Sequence, residues 1–114
     1  MTCKFCDGAY CKNRKIPSEE LYRATEFLLE VGKNKNINRA TSTYGLKHCA
    51  EKWWRKEHFA NGEETKDNNS YVCGCTLAFA AQDLGFDMKR CSRNSPNWMI
   101  NFSSKGLRKM LYAL

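Results

Sequence analysis

The sequence predicts an α+β fold, mostly α, on three observations. Four stretches place apolar residues at helical spacing, and two short stretches near the C-terminal end alternate instead. Of 114 residues, 42% are apolar and 12% aromatic, which is enough for one modest core and argues against disorder. Residues 1–16 show neither period and hold three cysteines, so they read as a Cys-containing N-terminal segment ahead of a single domain over 17–114.

The first helix begins at Pro17-Ser18-Glu19-Glu20. Ser18 reads as the N-cap, with acids in the first turn where the helix dipole favours them. Leu21, Ala24, Leu28 and Val31 form its inner stripe, and Gly32 is placed to stop it. A second helix starts near Ser42 or Thr43. Leu46, Cys49, Ala50, Trp53 and Trp54 make its stripe, and it frays by Phe59 because Asn61-Gly62 follows. Residues 61–70 offer nothing to bury and read as an exposed loop. A third helix runs from about Cys75 to Leu84, with Leu77, Ala80, Ala81 and Leu84 inward and Gly85 at its end. Phe86 to Arg90 alternates as a strand, Ser92 to Pro96 is turn chemistry, and Trp98, Ile100 and Phe102 alternate again. Ser103 then caps a last helix with Leu107, Met110, Leu111 and Leu114 inward. Gly106 lowers that helix's propensity by about 1 kcal/mol relative to Ala.

Three helices, a hairpin and a last helix is the order of a winged helix, in which the third helix is the usual groove reader and the hairpin is the wing. Charge agrees with a nucleic-acid partner. The net charge is +7, and from Met88 onward the chain carries Lys89, Arg90, Arg93, Lys105, Arg108 and Lys109 with no acid. A one-signed stretch of this kind matches a phosphate backbone, so these six are the candidate nucleic-acid-binding residues, with DNA favoured over RNA. Ser18 to Gly32 is the opposite, with four Glu against Arg23, which polarises the surface. The outward face of the third helix is less suited to reading a groove. It shows Thr76, Phe79, Gln82 and Asp83, with no Lys or Arg. Gln82 is its one residue able to read adenine.

Seven cysteines in a chain with no export signal point to free thiols or metal ligands rather than disulfides, and to the cytoplasm. Cys3-x2-Cys6-x4-Cys11 has the spacing of thiolates gripping one tetrahedral ion, similar to a zinc knuckle with Cys11 at the His position. The knuckle's last ligand falls on Ile16. The fourth ligand must come from afar, from Cys91, His48, Cys49 or the Cys73/Cys75 pair. The working set is Cys3, Cys6, Cys11 and Cys91 around a structural zinc. Cys49, on the stripe of the second helix, reads as core, as do Trp53 and Trp54.

Tyr44-Gly45-Leu46-Lys47-His48, Tyr71-Val72, Leu77 to Gly85-Phe86, Ser95-Pro96-Asn97-Trp98 and Asn101-Phe102 resemble small uncharacterised proteins of bacteriophages and mobile elements, over residues 43–102. The resemblance implies an accessory role in regulation, or interference with a host defence protein or nucleoprotein in the manner of an anti-CRISPR. The chain departs from the pattern at Cys73-Gly74-Cys75, where Ser-Asn-Gly is expected. No catalytic constellation competes with binding. There is no His-Glu-x-x-His, His48 and Cys49 are adjacent and diverge by about 100° on a helix, and Glu63, Glu64 and Asp67 lie in the polar loop. No apolar run approaches the roughly 20 residues that span a bilayer.

Overall fold

A computed structural model describes residues 3–8, 11–59, 62, 64–65 and 69–112. The chain is mostly helical, with helices α1 (Ser18–Val31), α2 (Thr43–His58), α3 (Gly74–Asp83) and α4 (Ser104–Tyr112). Strands β1 (Met88–Arg90) and β2 (Trp98–Ile100) pair antiparallel in the register Met88 to Ile100, Lys89 to Met99 and Arg90 to Trp98. The expected inward position of Leu114 and half of the 61–70 loop (61, 63 and 66–68) lie outside the described residues. Among those described there, Glu64 is exposed but tied down. It accepts from the Ser70 backbone N–H at 2.8 Å and hydroxyl at 2.6 Å, and pairs with Arg55 at 3.3 Å.

The helix ends follow from local chemistry. α1 starts one residue earlier than a Ser18 cap implies, because the Pro17 carbonyl already accepts from the Leu21 N–H. Ser42 does cap α2, its hydroxyl accepting from the Tyr44 N–H. Ser103 caps α4 through the Gly106 N–H at 3.0 Å. The core gathers Phe27 and Leu28 of α1, Leu46 of α2, Leu77 of α3, Val72, and Ile100 and Phe102 of the hairpin's second limb. Phe102 falls just outside β2 and forms an isolated bridge with Lys33, between α1 and α2. The Asn34 and Asn38 N–H groups donate to the Asn101 and Ile100 carbonyls, so the α1–α2 link runs along the second edge of β2.

Gly106 is explained by packing. A Cβ there would overlap the carbonyl oxygen of Val31, at the end of α1. The residue sacrifices propensity so that α4 can sit against α1. Gly106→Ala is therefore expected to destabilise the fold by about 1–3 kcal/mol, although propensity alone predicts a gain of about 1 kcal/mol. The shift of the urea unfolding midpoint gives the sign.

The N-terminal segment is part of the same body. Phe5, Cys6 and Cys11 are buried with Cys73, Cys75 and Ala78 in a second apolar cluster over α3. No helix among the described residues is long and apolar enough to cross a membrane.

Candidate metal centre and basic surface

Two tight turns present the N-terminal thiols. Asp7 and Gly8 follow Cys6, and Lys12 and Asn13 follow Cys11, all four with positive φ. Gly, Asp and Asn tolerate that conformation best, which is why they recur after metal-gripping cysteines. The Asn13 side chain closes the loop by accepting from the Cys3 N–H at 2.7 Å, and the Asn13 N–H donates to the Cys11 sulfur. The Sγ atoms of Cys3, Cys6, Cys11 and Cys75 all lie within 4.8 Å of one another, and Cys6 and Cys11 are 3.5 Å apart. Thiolates around one tetrahedral ion at a bond length of about 2.3 Å stand about 3.8 Å apart, so these four can hold a metal ion. All seven cysteines are free thiols.

Three of the four thiols selected from the sequence thus come together, and Cys75 from the first turn of α3 completes the group. Cys91 is exposed after β1 and is outside it. Cys49 is half-buried against the main core. A fifth sulfur, Cys73, lies 3.4 Å from Cys75. Burial, and then the bond with Cys6, hold the Cys11 thiol above its ordinary range. The bond with Cys73, and then burial, push Cys75 up, while the bond from Cys75 draws Cys73 down to about 6.

A buried carboxylate fixes the third helix's start beside this group. Glu20 of α1 is only 2% exposed. It takes both Nη2 contacts of Arg14, at 2.7 and 2.8 Å, the Cys73 N–H at 3.1 Å, and the Thr76 hydroxyl. Desolvation works against the Arg14 charge, but the bond and charge of Glu20 outweigh it and raise the guanidinium's pKa. One side chain therefore joins the segment after Cys11 to the residues before Cys75.

Of the six basic residues, strand parity separates Arg90 from Lys89. Arg90 faces inward beside Trp98. Its Nη2 donates to the Lys4 and Phe5 carbonyls at 3.1 and 3.3 Å, its guanidinium lies 4.8 Å from the Trp98 ring, and its Nε is buried without a partner. The Trp98 indole N–H also donates to the Phe5 carbonyl, at 2.8 Å. Arg90 and Trp98 thus bind the thiol lobe to the hairpin, and Arg90 is less available to a ligand than the sequence suggests. Lys89, Arg93, Lys105, Arg108 and Lys109 are exposed, and no acid among the described residues pairs with them.

Arg39 joins this group from the α1–α2 link, and charge reading missed it because the link lies far in sequence from the C-terminal run. Its Nη1 lies 4.0 Å from Met99 Sδ, and Met99 is the cross-strand partner of Lys89. Next to it, Asn38 donates to the Ser104 hydroxyl at 2.7 Å, and Ala40 and Thr41 share a shallow groove with Arg108. The exposed cations of β1, the link and α4 are therefore neighbours through Met99 and that groove.

Of the outward face expected for α3, Thr76 is instead buried and bonded to Glu20, while Phe79, Gln82 and Asp83 are exposed. Phe5 packs edge-on to Phe79 at 5.4 Å, and Lys4 donates to Gln82 at 2.6 Å. Comparison with family models, curated proteins and solved structures finds no match.

Proposed function

We propose that this chain is a small nucleic-acid-binding accessory protein of a phage or mobile element. It engages DNA rather than RNA, has a winged-helix-like body, and its N-terminal lobe is held by a structural zinc ion. The observation that carries the reading is the acid-free run of exposed cations on the hairpin and α4. Arg14, Arg23, Arg55, Lys47 and Arg90 are each engaged by a carboxylate or carbonyl, whereas the hairpin and α4 present Lys89, Arg93, Lys105, Arg108 and Lys109 unpaired among the described residues. An unneutralised cluster on an exposed hairpin and the following helix suits a phosphate backbone. The Lys33–Phe102 bridge supports the winged-helix part of the reading, since it lays the α1–α2 link beside the hairpin. Zinc suits a closed set of four thiols, and a set with no open position supports a structural rather than a catalytic ion.

The test is binding of the zinc-loaded chain to a labelled duplex across a salt series. Affinity is expected to fall linearly on a log–log plot. The triple variant Lys89→Ala, Arg93→Ala, Lys105→Ala is expected to lower the slope by about 3, roughly one unit per lost phosphate contact. An unchanged slope removes the hairpin from the interface.

A second reading, an inhibitor that binds a host defence protein or nucleoprotein, rests on the exposed side of α1. On α1, Tyr22 and Leu29 are more than half exposed, and Tyr22 meets the Trp54 ring edge-on at 6.0 Å. Glu19, Glu26 and Glu30 stand around them without an ion pair among the described residues. A stoichiometric protein complex with no affinity for free DNA at low salt selects this reading.

A further inference from the structure

Resting on the nucleic-acid reading above, we infer that the basic surface recognises the sugar-phosphate backbone of duplex DNA without reading base sequence, and that Arg39 is one of its phosphate ligands. Direct readout requires an element that enters the major groove carrying side chains with paired donors and acceptors. In a winged-helix order that element is α3, and here it is withdrawn twice over. Seven of its ten residues, Gly74 to Ala78 with Ala80 and Ala81, are buried. The three left, Phe79, Gln82 and Asp83, are exposed, but Phe79 offers a base edge no donor or acceptor and packs edge-on to Phe5, and the Gln82 amide oxygen already accepts from Lys4. Asp83 repels phosphate.

The cations of the hairpin other than Arg90, of the α1–α2 link and of α4 are exposed. The outward face of the hairpin carries Lys89 beside Met99, with Arg39 reaching the Met99 sulfur from the neighbouring link. On α4, Arg108 and Lys109 follow Lys105 by three and four residues and flank it on the helix surface, and Arg108 reaches the groove lined by Ala40 and Thr41, next to Arg39. Arg39 has no carboxylate partner among the described residues, and its one contact is a weakly accepting thioether. Its guanidinium is free to take a phosphate oxygen.

The experiment measures anisotropy of the full, zinc-loaded chain with two duplexes of unrelated sequence, a single strand and an RNA hairpin. Arg39→Ala, Arg39→Lys and Lys15→Ala are measured in parallel, and circular dichroism confirms their fold. The two duplexes are expected to bind within about threefold of each other, far below the discrimination of a base-reading protein. Arg39→Ala is expected to lower the salt slope by about 1, with Lys15→Ala unchanged. Arg39→Lys is expected to keep the slope, because a phosphate accepts either cation whereas a guanine edge read by a guanidinium fork does not accept them equally. A preference above about a hundredfold for one duplex overturns the inference, as does tighter binding of the single strand or the RNA, or an Arg39→Ala slope equal to that of the parent. In each of those results binding persists, so nucleic-acid binding itself stands, and tighter binding of the RNA removes only the preference for DNA from the parent reading. Absence of binding to every probe at low salt ends both.

Discussion

Cys75→Ser is expected to lower metal affinity by a few hundredfold, whereas Cys91→Ser leaves it unchanged. The two residues differ in place, not in chemistry. Cys75 Sγ lies with those of Cys3, Cys6 and Cys11 inside 4.8 Å, and Cys91 is exposed at the far end of β1. Structural zinc contributes an apparent 10–16 kcal/mol in small peptides, so losing one ligand of four costs about 3–4 kcal/mol. Cobalt titration reports it directly, because loss of one thiolate from a tetrahedral site shifts the d–d bands to higher energy and weakens the thiolate-to-cobalt charge-transfer absorption. The effect should reach the hairpin as well, since Trp98 and Arg90 hold the Phe5 carbonyl between the thiols. Faster hydrogen exchange of the Trp98 indole N–H in Cys75→Ser is the second readout. A Cys75→Ser protein that retains the cobalt spectrum of the parent would show that the fourth ligand lies elsewhere, with Cys73, 3.4 Å from Cys75, next in reach.

The same thiols set opposite pH responses for the metal-free and metal-bound chain at alkaline pH. Burial and mutual bonding hold Cys11 and Cys75 protonated beyond the range in which an unfolded thiol ionises, about 8.5. A raised folded value contributes stability that is complete below the unfolded value and is lost as pH climbs toward the folded one. Cys73, drawn down to about 6, acts in the other direction, but its contribution is already complete at that point. Metal binding displaces the protons, so affinity instead grows as pH rises and fails in acid.

The helices and the hairpin were legible because each is a local pattern. The stripes of α1 and α2 and the alternation around Met88–Arg90 and Trp98–Ile100 depend only on neighbours a few residues away. The thiols of Cys3, Cys6 and Cys11 were legible for the same reason. Cys75 was one of several candidates, because what brings it to them is a contact across most of the chain, made through Glu20 and the packing of Phe5. Nor does spacing distinguish Lys89 from Arg90. Only the strand's facing, fixed by the pairing of Arg90 with Trp98 and of Lys89 with Met99, separates a tether from an available cation. Gly106 reads as a weak helix residue until the Val31 carbonyl is placed against it.

Glu20→Ala is expected to cost about 3–5 kcal/mol of folding free energy, the largest effect of any single carboxylate here. A surface ion pair of the ordinary kind contributes at most about 1 kcal/mol. Glu20 differs because it is buried and accepts four bonds from three donors, so its removal leaves the Arg14 guanidinium, the Cys73 N–H and the Thr76 hydroxyl without their acceptor. Urea unfolding of Arg14→Ala, Glu20→Ala and the double variant separates the terms. A coupling below about 1 kcal/mol would reduce the pair to a surface contact. Arg14 follows Cys11 by three residues and Cys73 precedes Cys75 by two, so the same carboxylate aligns both halves of the thiol set. Glu20→Ala should therefore weaken cobalt binding although it touches no sulfur ligand. Arg14→Ala should weaken it less, because the Cys73 and Thr76 bonds to Glu20 remain.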